Sequence, residues 1–367
     1  MSRLRSLIFI IALILVVGVP TVEAQTLQSD LKAIYRAEVI KITSQNTKIL
    51  PGTDATFENQ TLEIKIITGP EKGKELTLEN DYQPLEIGDK FFIQVINLDG
   101  MPAYSISDPD RRWPLVVLSL LFVFIVLVFG GWQGLRSLVS LVGSLAVIIF
   151  ILIPWLMSGA EPVMVSSVVS VIILSLAIFS THGFNRQSAS ALMGTVAAVV
   201  ITGVVAAVAV SATKLTGLAA DEAVYLNLGT AGELNFRGLL LGAMIIGMLG
   251  VLDDIAVTQA SVVAELKHAL PSASGKDIYG RAIKVGREHV GALVNTLVLA
   301  YAGSSLPLLL LFSLSDFSPF LIINREIFTA EIVRTLVGSI GLILTVPLST
   351  ALAVWLVPAG EGHHHHH

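Results

Sequence analysis

Two patterns of apolar and polar residues divide the chain. Residues 25–110 alternate with period two in short runs, whereas beyond residue 111 the apolar residues merge into long stretches. In the first region Ala37–Ile42, Thr61–Ile67, Glu75–Leu78 and Phe91–Ile96 alternate as half-buried strands do. The turn pairs Pro51-Gly52, Gly69-Pro70, Lys72-Gly73 and Gly88-Asp89 separate them. Short strands at this spacing predict a small β-rich domain, a barrel or sandwich of OB-like kind.

The second region predicts helices that cross a membrane. Pro114 opens a span to Phe129, and a Gly-Gly-Trp turn with Arg136 leads to a second, Leu138–Trp155. Further spans cover Val163–Phe179 and Ala189–Val210, begin near Leu239 and near Val290, and end with Ile332–Val357. Each is long enough to cross roughly 30 Å of hydrocarbon as a helix. No barrel-type alternation accompanies them, so helices alone can satisfy the backbone there. Between the fifth and sixth spans, Pro271–Gly275 breaks a basic segment. Its second piece, Asp277–Glu288, reads as an amphipathic helix on the cytoplasmic surface. The fold class is a polytopic α-helical membrane protein of about seven transmembrane helices with a small extracytoplasmic β-rich N-terminal domain.

Composition agrees. The 367 residues are 53% hydrophobic and 14% charged, against roughly 25% charge in soluble domains. Arg3 and Arg5, the apolar run Leu7–Val17 and Val22-Glu23-Ala24 make residues 1–24 a signal peptide or an N-terminal anchor helix. Residues 25–110 then form the extracytoplasmic domain, 111–358 the helical domain, and 359–367 a tail ending in an expression tag. With the β domain outside, Arg136, Arg186, Lys267, Lys276, Arg281, Lys284 and Arg287 fall on cytoplasmic connections. Glu161, Asp221, Glu222, Glu233, Asp316 and Glu326 fall on the opposite loops. This is the positive-inside pattern of a bacterial cell membrane protein with a cytoplasmic C-terminus.

One span is not uniformly apolar. In the fifth, Ala243, Gly247, Gly250, Asp254, Thr258 and Ser261 are spaced 4, 3, 4, 4 and 3. That places them within an arc of roughly 80°. Asp253 points about 100° away from Asp254. An Asp within a span costs about 2.5–3.5 kcal/mol on insertion scales, so it must be paired, protonated or wet. Asp254 is expected inside the bundle, with Thr258, Gln259, Ser261 and Asn295 of the sixth span as polar neighbours. Glu288 and His289 are expected at its cytoplasmic mouth. Gly247, Gly250 and Gly291 are expected to let helices approach closely. The bland alternative is that the acidic pair is interfacial or ties helices together. The fourth span, rich in Gly and Ala, reads as tight packing, and the turn at His182 and Arg186 as a solvated one.

The remaining chemistry is sparse. There is no cysteine, which excludes disulfides, thiol catalysis and Cys-ligated zinc. Beyond the tag only His182, His268 and His289 remain, and no metal-ligand spacing appears. A net charge of −5 argues against nucleic acid as a partner. Gly275-Lys276 lacks the flanking residues of a phosphate loop, and no nucleophile triad is present. Neither enzymatic activity nor a cofactor is therefore expected. Adjacent aspartates on one helix cannot form the facing dyad of an intramembrane protease.

The segments Thr181–Thr195, Leu239–Ser261 and Gly286–Pro307 resemble the YibE/YibF-like multi-pass membrane proteins, most specifically in Gly291–Pro307. The resemblance covers about residues 114–357. It implies a polytopic cell-membrane protein, and carries one acidic residue after the Leu-Gly stretch where this chain has two. A likeness to SecDF/RND proteins is organisational only. Two functions follow as expectations. The first is an ion- or proton-coupled transporter or exporter with its acidic site on the fifth helix. The second is a non-enzymatic scaffold or accessory subunit whose exported β domain binds a partner. The expected partners are the lipid bilayer, an ion or small-molecule substrate, and a second copy of the chain or a second family member.

Overall fold

The computed structural model describes residues 31–49, 56–81, 83–98, 101–315 and 317–358. The signal or anchor segment and the tag lie outside the described residues. Contacts divide the chain into two units, Ala24–Val128 and the remainder.

The first unit holds five strands: β1 (Leu31–Ile49), β2 (Thr56–Ile66), β3 (Glu75–Asn80), β4 (Lys90–Leu98) and β5 (Met101–Pro109). They form one antiparallel sheet in the order β3-β2-β1-β4-β5. Irregularities in β1 between Val39 and Lys41, and between Ile42 and Ser44, add local twist. The sheet curls into a half-barrel in which β3 and β5 come into contact. Alternate residues point inward, and Ala37, Val39, Leu62, Ile64, Ile66, Phe91 and Ile93 build the core with Leu85. One buried amide sits within it. Gln60 Oε1 accepts from the Leu85 backbone N–H at 2.8 Å and from Asn80 Nδ2 at 3.0 Å, while Gln60 Nε2 donates to the Leu85 carbonyl at 3.1 Å.

Four of the strands are those that alternation predicts. β5 is an addition, because Pro102 and Pro109 hide it from a strand pattern. As an edge strand paired only with β4 it tolerates residues that cannot donate to the ladder. Just beyond it Asp110 is enclosed by two arginines, with Arg36 at 2.6 Å and Arg112 Nε at 2.8 Å.

The helices are α1 (Arg112–Val147), α2 (Ile153–Met157), α3 (Pro162–His182), α4 (Arg186–Ala212), α5 (Asp221–Gly229), α6 (Phe236–Ala269), α7 (Gly275–Ser304), α8 (Leu306–Ser313), α9 (Pro319–Ile323) and α10 (Glu326–Leu356). A π-helical turn, Ile148–Leu152, joins α1 to α2. Five stretches are long and apolar enough to cross a membrane: Arg112–Met157, α3, α4, α6 and α10. The pair α7 and α8, bent by 63°, makes up to six. The first stretch has 46 residues, about 69 Å at 1.5 Å per residue, which is the length of two crossings. Gly131, at φ 51° and ψ −135°, breaks it where the Gly-Gly-Trp turn is expected.

The amphipathic segment and the sixth span are not separate helices. They form the single α7, whose N-cap Ser274 accepts from the Asp277 N–H at 3.1 Å. The bend falls later, at Ser305-Leu306-Pro307, where the proline opens α8.

Helices α3, α4, α6 and α10 share a dry core that includes Val169, Ile173, Val199, Ile245, Met248, Leu252, Ile255, Val337 and Leu342. Glycines let their backbones approach. A Cβ on Gly194 of α4 would lie 2.5 Å from Ser349 Oγ of α10, and one on Gly341 of α10 would lie 2.6 Å from Thr202 Oγ1 of α4. Lys267 near the end of α6 donates to the carbonyls of Val354 and Val357 at 2.6 and 2.5 Å, satisfying the open C-terminus of α10.

Candidate functional site

Helix α6 has two unlike faces. Met248, Leu252, Ile255, Ala256 and Gln259 are buried in the helical core. Ala243, Gly247, Gly250 and Asp254 lie on the side roughly 180° away and are exposed. The small and polar stripe thus turns away from the core, and Asp254 is not inside the bundle as its sequence surroundings suggest. The reason is volume: the branched and sulfur-bearing side chains of α6 fill the space among α3, α4 and α10 and leave the stripe on the flank.

That flank is a groove of about 710 Å³. Asp253, Asp254, Thr258 and Ser261 line it together with Gly250 and Glu265 of α6. The opposite wall brings Thr181 and His182 from the end of α3, and Ser137 and Ser140 from the second half of α1. Both adjacent aspartates reach the one cavity because it is wide enough to span the angle between them. Asp253 is the more enclosed: its Oδ1 is buried and has no hydrogen-bond partner, whereas Asp254 is exposed. Ser261 Oγ accepts from Gln187 Nε2 at 2.6 Å, which fixes the start of α4 to this face. Among the described residues, no three His, Asp or Glu side chains converge closely enough to hold a metal ion.

The other expected residues lie elsewhere. Gln259 is 1% exposed on the core side, and its Oε1 accepts from Thr350 Oγ1 of α10 at 2.9 Å. It is a link between helices. Asn295, Glu288 and His289 sit on the exposed side of α7, outside the groove. Gly250 and Gly291 have no atom of another element within 4 Å of where a Cβ would sit, and Gly247 meets only the Tyr301 hydroxyl, at 3.8 Å. Within this chain they bring no helices together. The close approaches between helices include those at Gly143, Gly194, Gly242, Gly286 and Gly341.

Four groove residues, Ser137, Ser140, Thr181 and Glu265, escape a reading by local pattern. Hydroxyls and a carboxylate near helix ends look like ordinary solvated positions, and only the parallel pairing of α3 with α6 and the approach of α1 bring the hydroxyls opposite the aspartates.

A family model for YibE/F-like proteins matches residues 118–359. The chain belongs to the YibE/F family. The match takes in every helix that lines the groove, so the groove is part of the YibE/F region itself. No curated protein and no solved structure matches the chain. The organisational likeness to SecDF/RND proteins gains no support from these comparisons. As a YibE/F family member with long apolar helices, the chain is a membrane protein.

Proposed function

We propose that this protein is an ion- or proton-coupled membrane transporter, with Asp253 and Asp254 as the groups that exchange the coupling ion. The single observation that carries the reading is the groove on α6. Two carboxylates, a third from Glu265, an imidazole and five hydroxyls share a cavity large enough for solvent, within helices otherwise built for lipid. At about 30 Å³ per water the volume corresponds to some two dozen molecules. Carboxylates within a span belong to ion paths and proton relays, because their insertion is costly.

The same reading orients the chain in a bacterial cell membrane. Arg186 lies beside Gln187, which bonds to Ser261, and Lys267 closes the far end of α10. Glu161 caps the start of α3, accepting from the Met164 N–H at 2.7 Å, and Glu326 opens α10. The loops at the groove end of α6 carry more bases than those at the other end, where Lys214, Arg237, Arg325 and Arg334 stand among Glu161, Asp221, Glu222, Glu233 and Glu326. This bias supports a cytoplasmic groove, a cytoplasmic C-terminus and an extracytoplasmic β domain. If Gly131 divides two crossings and α7 with α8 makes one, the spans number seven. The sheet order, with β3 against β5, supports an OB-like barrel.

The test uses everted membrane vesicles energised to hold a pH gradient, monitored with acridine orange. Sodium, potassium, magnesium, calcium and manganese salts are added in turn. The reading expects one of them to dissipate the gradient in the wild type and none to do so in Asp253→Asn or Asp254→Asn at equal abundance. Wild-type responses in both variants would remove the aspartates from the mechanism.

A further inference from the structure

A second cavity, of about 170 Å³, lies at the other end of α6. Its walls include Gly217 before α5, Ala243 of α6, and Glu326, Ala330, Glu331 and Arg334 of α10. At about 30 Å³ per water it has room for about six molecules. Ala243 belongs to the same stripe of α6 as Gly250, Asp254 and Thr258, which line the groove. Eleven residues part Ala243 from Asp254, about 16 Å along the axis. Between the two cavities the stripe passes Gly247, under the Tyr301 hydroxyl.

The ionisable groups at both ends have an acidic excess. In the second cavity Arg334 pairs with Glu331 at 2.5 Å. Among the described residues the Glu326 carboxylate forms no ion pair. It accepts from the Thr216 N–H at 2.6 Å, from Thr216 Oγ1 at 2.9 Å and from the Gly217 N–H at 2.8 Å. Two carboxylates therefore face one guanidinium. In the groove three carboxylates face one imidazole. A cavity walled by low-dielectric helices focuses such a field and concentrates ions of the opposite sign.

We propose that the second cavity is an access vestibule from the opposite side of the membrane, serving the same face of α6, and that the species admitted at both ends is a small cation. This rests on the transport reading, and gives it a path with one mouth on each side and a narrow point at Gly247 and Tyr301. An anionic cargo would meet unfavourable walls at both ends.

The absence of cysteine makes the protein its own background for thiol labelling. Ala243→Cys and Ala220→Cys report on the second cavity, Thr258→Cys on the groove, and Ala256→Cys, fully buried, on the dry core. Each full-length variant, checked as a monodisperse species in detergent, is reacted in right-side-out and in everted vesicles. The probes are methanethiosulfonates carrying either a trimethylammonium or a sulfonate group. Ala243→Cys and Ala220→Cys are expected to react from one side only and Thr258→Cys from the other only, with Ala256→Cys inert. The cationic reagent is expected to react about tenfold faster than the anionic one at both ends, relative to a free thiol. Reaction of the Ala243 and Thr258 variants from the same side, or none at either second-cavity position, overturns the vestibule. A faster anionic reagent overturns the cation. Labelling does not depend on flux, so the expected pattern without ion movement in the vesicle assay would overturn the transport reading alone.

Discussion

Gln187 and Ser261 join two helices at the edge of the groove: the amide Nε2 donates to the hydroxyl at 2.6 Å. Residue 187 follows the cap of α4 and residue 261 lies on the polar stripe of α6, so this bond adds a polar tie between the stripe and α4 to their apolar packing. Ser261→Ala removes the acceptor and leaves a half-buried amide unpaired. Interhelical hydrogen bonds of this kind average about 0.6 kcal/mol in membranes. A loss of that order is expected in reversible unfolding in mixed micelles, and Gln187→Ala is expected to add little to it in the double variant.

The glycines separate into two kinds. A Cβ on Gly194 would lie 2.5 Å from Ser349 Oγ and 2.8 Å from its Cα, so Gly194→Ala must push α4 away from α10. Overpacking of this sort costs about 1–3 kcal/mol. Gly250 has open space at the same point, and Gly250→Ala is expected to be neutral or slightly stabilising, since alanine favours the helix. Thermal denaturation of the detergent-solubilised variants separates the two, and equal midpoints would contradict the assigned packing.

Asp253 is expected to trade stability for function. Its buried Oδ1 has no partner, a deficit worth about 1–3 kcal/mol. Asp253→Leu is therefore expected to raise the midpoint of thermal unfolding while abolishing ion movement in vesicles. A lower midpoint would mean that the carboxylate is satisfied within the fold.

In the β domain the hydrogen bond from the Arg112 side chain, aided by the charge of Arg36, holds the Asp110 carboxyl well below the usual carboxylate range despite partial burial. The folded-state value is lowered, so the charged pairing stabilises the folded domain above the unfolded value of about 3.9 and is lost as pH falls below it. Urea midpoints read from a fluorophore on Lys48→Cys in the full chain are expected to fall between pH 5 and pH 2.5. In Asp110→Asn they are expected to start lower and change less over that window.

Much of the helical domain is legible in the chain because long apolar runs have few solutions in lipid. The break at Gly131 follows from the paired glycines, and the tight contact of α4 from its alanines and glycines. The side of α6 that turns inward is not legible. A polar stripe within a span reads as an interior feature, since lipid is assumed to cover the rest. Here Met248, Leu252 and Ile255 occupy the interior and the stripe does not. The partners of the aspartates are hidden for a related reason. Ser137, Thr181 and Glu265 come from three places in the chain, and topology alone gathers them. In the sheet, β5 is concealed by its prolines, whose tolerance depends on being at an edge.

The apolar filling of the space among α3, α4, α6 and α10 has a mechanical corollary. Among the described residues the space between these helices is filled by apolar side chains rather than left as an axial pore. Under the proposed transport function, transit along the flank of α6 makes each step a matter of sliding or tilting one helix against its neighbours. The two glycines between the mouths, Gly247 and Gly250, then act less as packing residues than as clearance, leaving that surface smooth enough for a moving wall to pass.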